Sequence, residues 1–124
     1  SLVEKEVKVP EEAPIVAAVI YNRLAKKMPL QIDATLCYAK GGCPPLPTNA
    51  DKASTSPYNT YKIAALPPTP IASVSEVSLK AALAPANVTY LYYVVSDAAG
   101  HHAFANTNDE QNKNIAAAQA KGLL

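Results

Sequence analysis

The sequence lacks several features that usually point directly to a function. Its 124 residues include no tryptophan, one phenylalanine, two histidines and two cysteines, and the net charge is +1. Without a basic stripe or a charged block, we expect no nucleic-acid partner. There is also no glycine-rich phosphate loop, no metal-ligand spacing and no nucleophile elbow, so we predict neither a metal nor a cofactor.

Long hydrophobic runs are missing as well. No apolar stretch approaches the ~20 residues of a membrane span, and no signal peptide is visible. The length suits one domain, residues 1–124. Because the chain opens at Ser1 inside a helical pattern, we expect it to be a fragment of a longer protein that carries any anchor or export signal elsewhere.

The two cysteines, Cys37 and Cys43, enclose a short loop that contains Gly41 and Gly42. Their spacing suits a disulfide, with free thiols as the alternative. Two cysteines alone cannot complete a zinc site. A disulfide would indicate an oxidising, exported location.

The pattern of apolar residues and breakers predicts an α+β fold, in which helices pack with a small β-hairpin. The predicted hairpin joins strands Thr89–Val95 and His102–Ala105 through a turn at Asp97–Gly100. The predicted helices span Ser1 to Val7, Pro10 to Lys26 or Lys27, a segment capped by Ser73 and Glu76 that ends at Leu83, and a last segment capped by Asn108 or Gln111 that ends near Lys121.

Between these elements, residues 28–73 show no strong periodicity, and seven of the eleven prolines fall between Pro44 and Pro70. Three tyrosines lie in the same segment, namely Tyr38, Tyr58 and Tyr61. Aromatic residues among prolines favour an ordered irregular segment over a linker, and long ordered loops often line functional sites. We therefore predict a long proline-rich loop beside the active site.

Two carboxylates on the first helix offer different chemistry. Glu4 and Glu6 are about 200° apart around a helix, so only one can face a given cleft. On a helical wheel Glu6 falls between Leu2 and Val3, on the apolar side. Partial desolvation there would raise its pKa, as a glycosidase acid requires. The alternative is that both glutamates are ordinary surface residues.

The remaining polar candidates each have a structural and a functional interpretation. Asp33 either bonds its own backbone in a loop or takes part in catalysis. Arg23, beside Asn22, either lies on the surface of an amphipathic helix or orients a buried carboxylate through a bidentate pair. His101 and His102 point to opposite faces of the predicted strand and cannot easily share a metal.

Several motifs together resemble those of the MltG (YceG-like) family of endolytic murein transglycosylases. They occur in the family's order and cover nearly the whole chain. The matching segments are Leu2–Glu6, Val16–Leu24, Met28–Thr35, Ser56–Tyr61, Leu66–Ile71, Leu79–Ala82 and Tyr90–Val94.

The resemblance implies a domain outside the bacterial inner membrane, normally tethered by one N-terminal transmembrane helix. The partner it implies is a cell-wall synthesis complex. It implies cleavage within peptidoglycan glycan strands by one glutamate of the Glu-Lys-Glu motif. Motif position and the helical wheel both favour Glu6 for this role, with Glu4 in reserve. Sugar-binding roles are predicted for five loop residues, and Asn22 and Arg23 are predicted to support Glu6. The five are Gln31, Asp33, Tyr58, Asn59 and Tyr61.

This sequence also departs from the family pattern. Val7 replaces a small or hydroxyl residue, and Ala65 and Thr69 replace the two glycines of the Gly-Leu-Pro-Pro-Gly-Pro-Ile motif. Ala34 replaces a proline. Gly-Gly-His-x-Phe and a late His-Asn become Gly100–Phe104 and Gln111-Asn112. The swapped glycines leave open a peptidoglycan-binding module without activity. A second rival is a lysozyme-like hydrolase with Asp33 as its second carboxylate. A scaffold of the division complex is a third possibility.

Overall fold

The computed structural model describes all residues, 1–124, and confirms the predicted α+β class. The chain forms six α-helices and one two-stranded antiparallel sheet, which packs against α6 and α2. The helices are α1 Leu2–Glu6, α2 Ala13–Ala25, α3 Asp33–Ala39, α4 Asn49–Lys52, α5 Glu76–Leu83 and α6 Asn108–Ala120, with a 3₁₀ turn at Pro10–Glu12 before α2. The strands are β1 Tyr92–Val95 and β2 His102–Ala105. None of the helices is long and apolar enough to cross a membrane.

The core forms around α2, the most apolar helix. Ala13, Val16 and Ala17 are almost fully buried there. The short helix α1 contributes Leu2 and Val3 to the same ten-residue core, and it contacts α2, α3 and α5. Since α1 has only five residues, this burial, rather than intrinsic helix propensity, must hold it in place.

The β-hairpin has the predicted turn but a shorter first strand. Tyr93 pairs with Phe104 in the antiparallel register, and Gly100 closes the turn at φ +94°, with a side chain there excluded by Lys8. The prediction that β1 starts at Thr89 is wrong, because the carbonyls of Val88 and Tyr90 instead accept hydrogen bonds from the Asn22 side chain.

The segment 28–73 is more regular than a long loop. The prediction missed two short helices, α3 and α4. Thr48 and Asp51 form a capping box at the start of α4. Thr35 and Thr60, both fully buried, share a hydrogen bond of 2.9 Å that ties α3 to the chain beyond α4. In α3, Cys37 forms a disulfide with Cys43, with 5.3 Å between their Cα atoms.

Two helix caps differ from the prediction. Ser75, not Ser73, caps α5, and its hydroxyl accepts a hydrogen bond from the Ser78 N–H. Thr107 caps α6 by accepting from the Glu110 N–H at 3.2 Å. Asn108 and Gln111 therefore lie inside α6 and leave their side chains free for other contacts.

Candidate active site

A cleft of about 350 Å³ lies where α1, α2, β1 and α6 meet the start of α3. It brings together five of the polar residues that the sequence suggested for the site, and it adds a wall from β1 and α6. The lining residues are Glu6, Arg23, Leu30, Gln31, Asp33, Tyr61, Leu91, Tyr92, Tyr93, Asn108, Gln111, Asn112 and Ile115.

Glu6 reaches this cleft from the last position of α1. Its carboxylate Oε1 accepts a hydrogen bond of 2.6 Å from the phenol of Tyr93. Burial raises the pKa of Glu6 above its ordinary value, and the charge of Asp33 adds to the rise, while the bond from Tyr93 opposes it. Desolvation thus dominates, and the carboxyl is suited to hold a proton.

Glu4 points away from the cleft. Its Oε1 accepts hydrogen bonds from the Ser75 N–H at 2.6 Å and from the Ser78 hydroxyl at 3.0 Å. The backbone bond from Ser75 is the main reason why the pKa of Glu4 is lowered. Glu4 therefore caps α5 as a carboxylate, which explains why Ser75 begins that helix without help from Glu76.

These opposite pKa shifts predict opposite pH effects on stability. A raised folded-state pKa means that Glu6 stabilises the fold below its ordinary pKa of 4.5 and loses that contribution as pH rises through the raised value. Glu6→Gln should therefore unfold at a higher temperature than the wild type at pH 7, and the gap should close towards pH 4.

Thermal unfolding by circular dichroism across this pH range measures the effect. Glu4→Gln is the matched control, because its lowered pKa makes the ionised form stabilising above the ordinary value. It should be less stable than the wild type at pH 7. A Glu6→Gln protein that is less stable than the wild type at pH 7 would contradict the desolvation of Glu6.

Asp33 and Tyr61 form a second polar pair in the cleft. The Tyr61 phenol donates to Asp33 Oδ1 at 2.5 Å. Burial, followed by this bond to a carboxylate, raises the pKa of Tyr61. Asp33 lies at the first position of α3, not in a loop as one interpretation had it. The Asp33 carboxylate therefore already accepts a hydrogen bond from Tyr61, which lies 28 residues further along the chain.

Gln31 also lines the cleft, and its backbone is strained. Its φ of 54° lies in the left-handed region, which non-glycine residues rarely adopt. The conformation is fixed because the Gln31 N–H donates to the Thr60 carbonyl at 3.0 Å and the following N–H, of Ile32, donates to the Thr60 hydroxyl. Such strain is typical of positions that orient a functional side chain.

Asn22 and Arg23 do not touch Glu6, contrary to the prediction that they support it. The Arg23 guanidinium donates to the carbonyls of Pro29 at 2.5 Å and Leu91 at 2.7 Å, and it lies over the Tyr92 ring. Both interpretations of Arg23 are wrong, since it is buried and pairs with backbone rather than with a carboxylate. It joins two walls of the cleft.

Tyr58 and Asn59 lie outside the cleft, so the structure does not support their predicted contact with sugar. Asn59 is fully buried, and its amide donates to the carbonyls of Lys52 and Ser54. Its Oδ1 accepts from the Tyr61 N–H at 3.0 Å. Asn59 therefore braces the segment that presents Tyr61.

The Tyr58 phenol is hydrogen-bonded to the Thr69 hydroxyl at 2.7 Å. Thr69 stands where the family pattern has a glycine, so this contact depends on a departure from the pattern. Neither Thr69 nor Ala65 adopts a positive φ, and replacing the two glycines therefore causes no left-handed strain in this segment.

Sequence reasoning missed the wall formed by β1 and α6. Tyr93 and Gln111 are its most informative members: the Gln111 amide donates to the Tyr93 carbonyl at 3.0 Å, and its Oε1 is buried without a hydrogen-bond partner. The alternation of Leu91 and Tyr93 along a strand could have placed both on one face. The only signal at Gln111 was its place in the late His-Asn motif of the family, because long-range packing brings it to the cleft.

The two histidines contact different carboxylates, and only His102 lies on a strand. His101 is exposed and lies 2.8 Å from Asp97. His102 is nearly buried, and its Nδ1 lies 2.9 Å from Oε1 of Glu12. No group of three or more histidine, cysteine or carboxylate side chains is arranged to hold a metal ion.

Comparison with known proteins places the chain in a family. Residues 1–117 match the YceG-like family. The chain belongs to this family. A 2.6 Å crystal structure of a YceG-like protein from Listeria monocytogenes matches it with a TM-score of 0.83 and 42% identity, over 91% of this chain and 36% of the other.

Two curated relatives of this YceG-like chain are named endolytic murein transglycosylase. The protein from Bacillus subtilis strain 168 is 42% identical over 113 residues, which cover 91% of this chain and 31% of the relative. The protein from Streptococcus pneumoniae serotype 2 strain D39 is 34% identical over 125 residues, which cover 94% of this chain and 22% of the relative. The YceG-like chain thus spans less than a third of the length of either relative.

Proposed function

We propose that residues 1–124 are the catalytic domain of an endolytic peptidoglycan lytic transglycosylase, with Glu6 as its acid and base. One observation carries the proposal: Glu6 is a desolvated carboxyl in the cleft with a raised pKa. The other carboxylate in the cleft, Asp33, also accepts a hydrogen bond from a phenol, that of Tyr61, but Glu6 is the one that lies in the Glu-Lys-Glu motif. Membership of the YceG-like family, and the activity for which the two curated relatives are named, support the same reaction.

In the first step, protonated Glu6 gives its proton to the oxygen that links N-acetylmuramic acid to N-acetylglucosamine. The bond from C1 of the muramic acid to that oxygen breaks, and the N-acetylglucosamine side leaves as an alcohol. The N-acetyl group of the substrate can stabilise the positive charge at C1, as in substrate-assisted glycosidases.

In the second step, Glu6 acts as a carboxylate. It takes the proton from the C6 hydroxyl of the muramic acid, whose oxygen forms a bond to C1 and closes a 1,6-anhydro ring. Glu6 is protonated again, no water is consumed, and the reaction is a lyase reaction. The chemistry requires a single proton-transfer group, and no metal or cofactor takes part.

Polar residues around Glu6 would hold the sugars. Gln31 and Asp33 line the cleft on one side of Glu6, and Tyr61 lies with them. A tyrosine suits a sugar because its ring is apolar and its tip is polar. Gln111 and Asn112, where the family pattern has His-Asn, line the same cleft and supply amides.

Digestion of purified, uncrosslinked glycan strands tests the proposal, with the products read by mass spectrometry. Anhydro ends are lighter by one water than the ends produced by hydrolysis, and we expect them from internal cleavage. Glu6→Gln is the matched control, and it should produce anhydro ends far more slowly than the wild type.

Two other results would replace the proposal. Reducing ends in place of anhydro ends would indicate a lysozyme-like hydrolase, in which Asp33 activates water. Binding to glycan strands without cleavage, by this chain and by a longer one, would indicate a non-catalytic peptidoglycan-binding module.

We further propose that the whole protein acts on the extracytoplasmic side of the bacterial cell membrane. One N-terminal transmembrane helix would anchor it, and it would work with a cell-wall synthesis complex. The Cys37–Cys43 disulfide supports an exported location, because such bonds persist in oxidising compartments. Peptidoglycan, the substrate implied by the names of the relatives, lies in the same place.

A further inference from the structure

The two oxygens of the Glu6 carboxyl have different environments. Oε1 accepts the 2.6 Å hydrogen bond from the Tyr93 phenol. Oε2 has no hydrogen-bond partner in the protein and is not fully buried. Oε2 therefore remains open to the cleft, whereas Oε1 is covered by a donor.

The Tyr93 ring is held by the hairpin. The ring of His102 meets it edge-on, with centroids 5.3 Å apart and planes at 89°. Phe104, the cross-strand partner of Tyr93, packs at 6.2 Å. From α6, the Gln111 amide holds the Tyr93 carbonyl at 3.0 Å. The phenol thus has little freedom to leave Glu6.

His102 is fixed in turn from the 3₁₀ turn before α2. Its backbone N–H donates to Glu12 Oε2 at 3.0 Å, and its Nδ1 lies 2.9 Å from Oε1. The side chains of His102 and Glu12 are only 10% and 12% exposed. A continuous set of contacts therefore runs from Glu12 through His102 and Tyr93 to Glu6.

We propose that Tyr93 is a positioning residue for the transglycosylase reaction: its phenol fixes the Glu6 carboxyl in one orientation and keeps the transferable proton on Oε2, facing the cleft. The inference rests on the proposed function of Glu6. While Glu6 is protonated, a donor on Oε1 disfavours a proton there. When Glu6 is a carboxylate, the same bond stabilises the negative charge until the C6 proton arrives.

Other groups also act on Glu6 and must be kept unchanged in any test. Asp33 raises its pKa, while Tyr93, His102 and Lys8 lower it. Arg23 and Tyr61 line the same cleft. Removing the Tyr93 hydroxyl alone leaves all of these in place, so the pKa of Glu6 should rise further.

Tyr93→Phe tests the proposal through the pH profile of kcat/KM. Activity needs protonated Glu6 and falls as pH rises through its pKa, so this alkaline limb should move up by about one to two pH units. The maximal rate should fall about 10- to 100-fold, because the proton is no longer confined to Oε2. Tyr90→Phe is the matched control: it also removes one phenol, but from a ring that stacks on Phe104 outside the cleft.

A lower rate with an unmoved alkaline limb would mean that Tyr93 is merely structural and would overturn the proposal. An alkaline limb that moves to lower pH in Tyr93→Phe would also overturn the proposal. Tyr90→Phe should keep the wild-type profile, and an equal shift in that variant would also overturn the proposal.

Carboxyl ¹³C NMR titration of Glu6 separates this inference from the proposed activity, since it needs no substrate. We expect a higher Glu6 pKa in Tyr93→Phe even if glycan strands turn out not to be cut. If Tyr93→Phe fails to fold, NMR of the wild-type protein still tests the proposal. The Tyr93 hydroxyl proton should exchange slowly with solvent, and its chemical shift should change as Glu6 titrates. A rapidly exchanging hydroxyl would rule out the fixed bond.

Discussion

Glu6→Gln should reduce the cleavage of glycan strands by about 10³-fold or more, while the fold is retained. Proton transfer by one positioned group contributes about 10²- to 10⁴-fold, and Glu6 serves both steps of the proposed reaction. Glutamine keeps the shape of the side chain and an oxygen that can accept from Tyr93. The rate of appearance of anhydro ends measures the loss.

Glu4→Gln is the sharpest control, because Glu4 lies on the same five-residue helix. Its carboxylate is bound to Ser75 and Ser78 outside the cleft. The Glu4 variant should therefore cut glycan strands at close to the wild-type rate while losing some thermal stability. If Glu4→Gln were inactive and Glu6→Gln active, the acid would be Glu4 and the cleft would need another function.

Helical periodicity correctly predicted that Glu4 and Glu6 have different surroundings. The sequence places Glu6 beside Leu2 and Val3, and both of these are buried in the structure. The rotation between Glu4 and Glu6 is enough to send one carboxylate into the cleft and the other to the start of α5. A helical wheel does not show which residues cover each face of α1, because Tyr93 and Ser75, the partners of Glu6 and Glu4, are distant in sequence.

Local signals succeeded where they were strong. A β-branched and aromatic run predicted β1, and the turn at Asp97–Gly100 predicted its partner strand. The same reasoning failed for residues 28–73, where α3 and α4 are too short to show a period. Tertiary contacts, such as the buried bond between Thr35 and Thr60, stabilise that segment.

Residue type alone was a poor guide to which polar side chains line the cleft. Tyr58, Asn59 and Tyr61 belong to one motif, yet only Tyr61 lines the cleft. Asn59 satisfies backbone groups, as buried amides generally must. Arg23 likewise pairs with carbonyls. In each case the partners are main-chain atoms, which a sequence does not distinguish.

Asn59→Ala should lower the free energy of unfolding by about 2–4 kcal/mol, since it leaves three backbone groups without their partner. These are the carbonyls of Lys52 and Ser54 and the N–H of Tyr61. The side chain is fully buried, so water cannot readily replace it. Urea unfolding followed by circular dichroism measures the change.

Asn87→Ala provides the comparison, because Asn87 is an exposed asparagine in a loop. Its free energy of unfolding should stay within about 0.5 kcal/mol of the wild type. The pair also distinguishes a structural brace from a sugar contact. A sugar-binding Asn59 would change KM and leave unfolding untouched, whereas a brace changes unfolding first and alters activity through the position of Tyr61. If Asn59→Ala kept the wild-type stability but had a raised KM, Asn59 would be a sugar-binding residue instead.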